Sequence, residues 1–135
     1  MVTLKTKVMK SKIYLLAILA LFLIPYSCNK EEPMPTSAAF TTNLQNNTQT
    51  AGKSITFYTS NAKGEFLTYF KGEKETDTYG SGKGTILEVG TDSLLLTYYN
   101  EGVYTFTLVA TSYGNWGETV NQDVQSVEIT IVPKE

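Results

Sequence analysis

The strongest constraint on this chain is a two-residue alternation that runs from about Thr36 to the C-terminus. Lys53 to Thr59 places Ile55 and Phe57 on one side and Ser54, Thr56 and Tyr58 on the other. Val103 to Thr111 sets Tyr104, Phe106, Leu108 and Ala110 against Val103, Thr105, Thr107 and Val109. Gln125 to Val132 sets Val127, Ile129 and Ile131 against Ser126, Glu128 and Thr130. Successive side chains of a strand point to opposite faces, so each segment reads as an antiparallel strand with one buried face. Ala38 to Thr42, Phe66 to Lys71, Thr85 to Val89 and Ser93 to Tyr99 are shorter candidates bounded by Gly, Asn, Asp or Lys. Nothing after residue 30 combines helical apolar spacing with caps. About seven short strands in about 100 residues predict one all-β domain over 36–135, an immunoglobulin-like antiparallel β-sandwich. Its core is expected to hold Ile55, Phe57, Phe106, Leu108, Val127, Ile129 and Ile131.

Residues 1–27 obey a different logic. Lys5, Lys7, Lys10 and Lys12 lead into Ile13 to Ile24, an uncharged 12-residue run. A bilayer-spanning helix needs about 20 apolar residues, whereas the core of a signal peptide needs about 7 to 15. The run fits a cleaved signal. Beyond it, residues 28–135 carry 7 Lys against 13 Asp and Glu, a net charge of −6.

Composition then excludes whole classes of chemistry. The 135 residues include no His, no Arg and one Cys, so no single chain of this sequence assembles a zinc cage, a Ser/His/Asp triad or a Cys/His pair. An acidic chain without Arg is a poor match for a phosphate backbone, and no nucleic-acid partner is expected. No cofactor, metal or catalytic residue is expected, and the protein is read as not an enzyme.

Pro25-Tyr26-Ser27-Cys28 follows the apolar run and supplies a break, a small residue and the chain's only thiol. This stretch resembles a bacterial lipoprotein signal, in which a small residue precedes a Cys that is acylated and becomes the new N-terminus. Ser27 and Cys28 match; Pro25 stands where that family prefers Leu. The resemblance implies lipidation of Cys28 and a membrane anchor, and it accounts for a lone thiol in an exported chain. A signal anchor, or a secretory signal with an incidental Cys, is the alternative. Residues 28–35 then form an acidic, Pro-containing linker, in which Lys30-Glu31-Glu32 resembles the export signal of surface lipoproteins in some Gram-negative bacteria. That implies an outer-membrane position facing the cell surface; a solvated linker on a periplasmic protein is the alternative.

Tyr98, Gly102, Tyr104 and Leu108 lie at the spacing of a late hairpin, with Phe106 between them. The segment resembles the corresponding hairpin of PKD domains, where Phe106 stands in place of the usual Val. The Phe-Gly-Asp-Gly hallmark of that family is reduced here to Phe70-Lys71-Gly72-Glu73, and Thr68 replaces its upstream aromatic. Physically, Gly102 permits a tight turn, and Tyr104 is placed to bond its hydroxyl to backbone as a tyrosine corner.

The remaining motifs read mostly as structure. Gly80 to Thr85 lacks the first Gly and the final Ser or Thr of a phosphate-binding loop and leads into a strand, so it reads as a glycine-rich loop. Glu73 and Glu75 share a face if extended, but glycoside hydrolysis needs two carboxylates across a cleft. No Asp belongs to a calcium loop, and loop oxygens offer at most one weak site. Asp92-Ser93-Leu94 resembles a short O-glycosylation acceptor but reads better as a turn leading into the strand of Leu94, Leu95 and Leu96. The loop Ser112 to Thr119 carries the only Trp. Trp116, with Tyr113 and Asn115 and more remotely Tyr79, is the candidate glycan- or protein-binding set. The alternative makes Trp116 a lid folded over the end of the core, since Trp is usually well buried. The expected function is therefore a lipid-anchored binding module or, failing that, a structural spacer presenting a larger partner.

Overall fold

The computed structural model describes residues 30–135. Residues 1–29, including the signal segment and Cys28, lie outside the described residues. Eight strands follow in order: β1 (Thr41–Thr42), β2 (Thr48–Thr50), β3 (Ser54–Tyr58), β4 (Phe66–Phe70), β5 (Thr85–Leu87), β6 (Ser93–Thr97), β7 (Gly102–Gly114) and β8 (Thr119–Val132). They form a three-stranded sheet, β1-β3-β6, and a five-stranded sheet, β2-β8-β7-β4-β5. The two sheets pack as a β-sandwich of immunoglobulin-like type, as the alternation predicts.

Three details differ from the sequence reading. There are eight strands rather than seven, because Thr48–Thr50, a polar triplet with no apolar face, pairs with the end of β8. That pairing is parallel, so the larger sheet is mixed rather than wholly antiparallel. The last two strands are also longer than expected, running 13 and 14 residues in a single hairpin from Gly102↔Ile131 to Gly114↔Thr119.

The core lies where the alternation places it. Ile55, Phe57, Phe106, Leu108, Ile129 and Ile131 are buried, and Val127 is half-buried against them. Phe57 of β3 stacks on Phe106 of β7 with ring centroids 3.9 Å apart, and Phe40 meets both edge-on at 6.0 and 5.1 Å. These rings tie one sheet to the other. Burying a large apolar side chain contributes roughly 1.5 to 3 kcal/mol, and the core holds without a disulfide.

Tyr98 and Tyr104 close one end of the sandwich. The Tyr104 hydroxyl donates to the Asn100 carbonyl at 3.0 Å, the backbone bond expected of a Tyr at that point. Tyr98 is fully buried, donates its hydroxyl to the Lys71 carbonyl at 2.7 Å and stacks on Tyr104 with centroids 4.8 Å apart. Burial, then the carboxylates of Glu73 and Asp77 and the neighbouring Tyr104, hold the Tyr98 phenol well above its ordinary range. Below about pH 10 both folded and unfolded chains keep this proton. Above it only the unfolded chain releases the proton, so folding should weaken by about 1.4 kcal/mol per pH unit from this residue. Urea unfolding is expected to show little change from this residue between about pH 9 and 10 and that slope above about pH 10 in the native protein. Tyr98→Phe should flatten it, at a cost of about 1 kcal/mol for the lost hydrogen bond.

Candidate functional site

The loop around Trp116 is shorter and more exposed than its sequence implies. Ser112 and Tyr113 belong to β7, which leaves only Asn115 to Glu118 to make the turn. β4 stops at Phe66, opposite Thr111. Beyond that point β7 and β8 continue as a two-stranded ribbon, and the Glu65 carboxylate accepts the Tyr113 N–H at 3.0 Å on the side that β4 has left. At the tip Asn115, Trp116 and Gly117 all have positive φ, +49°, +59° and +91°. This region suits Gly and costs a residue such as Trp of order 1 to 3 kcal/mol.

Trp116 itself is wholly exposed, with 103% relative accessibility. The lid is thus ruled out, because two successive left-handed residues turn the side chain outward instead of folding it over the core. Tyr113 is half-exposed and meets Phe66 edge-on at 5.8 Å. Asn115 donates its side-chain amide to the Glu118 carboxylate across the turn. Trp116, Tyr113 and Asn115 therefore share one projecting tip. Tyr79 does not join them: it packs edge-on against Phe70 at 5.3 Å. Phe70 is level with Thr107, seven residues down β7 from Gly114, so roughly 20 Å separates Tyr79 from the tip.

An arrangement absent from the sequence reading sits on the inner face of the ribbon. Gln125 donates its side-chain amide to the Phe40 carbonyl at 3.0 Å, the Asp123 carboxylate accepts the Ala38 N–H at 2.7 Å, and Asn121 donates to the Met34 carbonyl at 3.4 Å. Two residue pairs further along, a Cβ on Gly114 would lie 2.5 Å from the Glu31 carbonyl oxygen and 2.6 Å from Pro33. Residues 31–40 thus run backwards along the ribbon toward its tip. Residues 31–34 of the acidic, Pro-containing linker therefore lie along the ribbon, with Pro33 half-buried and Glu31, Glu32 and Met34 exposed. The signal was present in the spacing: Asn121, Asp123 and Gln125 keep the period of two, but on the inner face they bind a backbone instead of filling a core.

The acidic residues do structural work. Lys71 bonds Glu73 at 2.6 Å and stands over the Tyr98 ring at 4.8 Å. Asp77 accepts the Lys74 N–H at 2.7 Å and caps the short 3-10 turn Glu75–Asp77. Glu73 and Glu75 therefore do not face each other across a cleft. Among the described residues no group of three or more His, Cys, Asp or Glu is placed to hold a metal ion, and no helix is long and apolar enough to cross a membrane. An open depression of about 300 Å³ lies at the opposite end of β8, lined by Thr50, Lys53, Val132, Pro133, Lys134 and Glu135.

No protein-family model matches this sequence, and none of the curated proteins compared with it is similar.

Proposed function

We propose that this chain is a non-catalytic lipoprotein of the cell envelope. Cys28 carries the lipid, residues 1–27 are removed, and a PKD-like sandwich binds a glycan or another protein at the outer membrane or cell surface. The observation that carries this reading is the path of residues 31–40. They lead from the core to the hairpin tip and leave only two residues, Asn29 and Lys30, between Cys28 and the docked Glu31, a span of about 10 Å at most.

A tether so short fixes which end of the sandwich meets solvent. Gly102 lies twelve residues from Gly114 along β7, so the far end stands about 40 Å from the tip. That end carries the exposed Tyr99, and the 71–84 loop with the half-exposed Tyr79 lies about midway toward it. It is where a glycan or protein partner is met, with aromatic rings available for stacking. The PKD-like reading is supported by the Tyr104 hydroxyl bond to Asn100 and by Gly102, whose φ of +150° favours glycine. A second reading, a spacer that holds a larger partner off the membrane, is favoured by the long ribbon that braces the domain along its height.

Metabolic labelling with an alkyne fatty acid tests the anchor: the native protein is expected to take the label and Cys28→Ser to lose it. Label retained by Cys28→Ser, or absent from both, refutes the anchor. A glycan array probed with the membrane-extracted protein and with Tyr79→Ala tests the binding half. Binding lost in Tyr79→Ala supports it, and silence across the array favours the spacer.

A further inference from the structure

Three apolar side chains lie together on the outer face of the tip. Tyr113 and Val120 are cross-strand partners on the outer face of the ribbon, Phe66 packs on Tyr113, and Trp116 projects beyond them. Phe66, Tyr113 and Val120 are each about half-exposed and form an apolar patch of the kind that marks an interaction surface, while Trp116 stands clear of it in solvent. The left-handed turn adds an independent sign. A Gly at position 116 would occupy this backbone without strain, yet a Trp is held there with its ring in solvent.

The occupant follows from where the chain goes. The contacts of Phe40, Ala38, Met34 and Glu31 advance toward the tip in that order. Three residues from Glu31 to Cys28 and two from Gly114 to Trp116 place Cys28 and Trp116 within about 25 Å of each other. Resting on the lipid-anchor reading of Cys28, we infer that the hairpin tip seats on the bilayer holding the acyl chains, with Trp116 in its headgroup layer. Trp is the side chain best suited to that layer, because an apolar ring carries one polar N–H. Glu31, Glu32, Glu65 and Glu118 surround the tip against Lys30 alone. The attraction is therefore apolar, and an uncharged phosphocholine surface suits it better than an anionic one.

The chain's single Trp is its own probe. The full lipidated protein, extracted from membranes, is reconstituted into phosphatidylcholine vesicles containing brominated lipids and followed by flotation and Trp emission. Seating predicts blue-shifted emission and loss of most of the fluorescence, with lipids brominated near the headgroup quenching better than those brominated near the chain ends. Adding anionic lipid should weaken the quenching. Gly114→Val, which forces residues 31–33 off the ribbon, lengthens the tether and should restore emission while the protein still floats. Co-flotation with unquenched, water-like emission overturns the seating alone. Failure to float overturns the anchor reading, and the seating with it. Quenching that strengthens with anionic lipid overturns the apolar contact in favour of electrostatic adsorption.

Discussion

Phe106→Ala is expected to lose about 3 to 5 kcal/mol of folding stability, the largest effect of any single substitution considered for this chain. Phe106 is completely buried, stacks on Phe57 at 3.9 Å, meets Phe40 at 5.1 Å and lies near-parallel to Tyr69 at 6.2 Å. It touches rings from both sheets, so truncation removes the transfer energy of the ring and leaves a cavity that four different segments would have to move to fill. A domain of this size has roughly 5 to 15 kcal/mol in total. Urea unfolding should show the midpoint falling steeply with an unchanged slope. Phe106→Leu, which keeps most of the volume, should cost far less.

Gly114→Val is expected to act at a distance from the core and on a different property. A Cβ at this position meets the Glu31 carbonyl and the Pro33 ring and nitrogen, which are backbone or rigid groups without a rotamer to yield. Gly114 is needed for this close approach and not for its φ, which is −119°. Overpacking of this kind costs about 1 to 3 kcal/mol. The strain is relieved when residues 31–34 lift away and the Asn121 bond to Met34 breaks. Hydrogen exchange should quicken at residues 31–38 and at the ribbon, while Ile55, Leu108 and Ile129 stay protected. Uniform loss of protection would mean that the segment is part of the core and not a docked arm.

Much of the fold could be read from the alternation of Lys53 to Thr59, Val103 to Thr111 and Gln125 to Val132. One side of each is apolar because one side faces the other sheet. The reading was weakest where strand pairing draws on neither hydrophobic face. Thr48–Thr50 has only polar side chains and is held by hydrogen bonds to β8 through the register Thr48↔Thr130 to Thr50↔Val132. Thr119 to Val124 falls outside the alternating segment because Asn121 and Asp123 put polar side chains on the inner face, yet their partners are backbone groups of residues 34 and 38.

The candidate site was legible in part. An exposed loop with the only Trp could be named from sequence, but burial statistics for Trp pointed toward a lid. What decides its exposure is the pair of positive φ values at Asn115 and Trp116, and nothing in the residue types reveals these. The docking of residues 31–34 beside the tip was likewise hidden. It rests on a missing Cβ at Gly114, and a Gly in a turn-rich stretch has a commoner reason to be there. Tyr79 is joined to Trp116 by chemistry alone, and the fold separates them by roughly half the length of β7.

Lipidated Cys28 as the first residue is what would hold the sandwich close to its membrane. The most direct test is the intact mass of the protein extracted from membranes of a bacterial host. The expected value is that of residues 28–135 plus a glyceryl group and its acyl chains, with no thiol left to alkylate. A mass that retains residues 1–27, or a free thiol at Cys28, would contradict it.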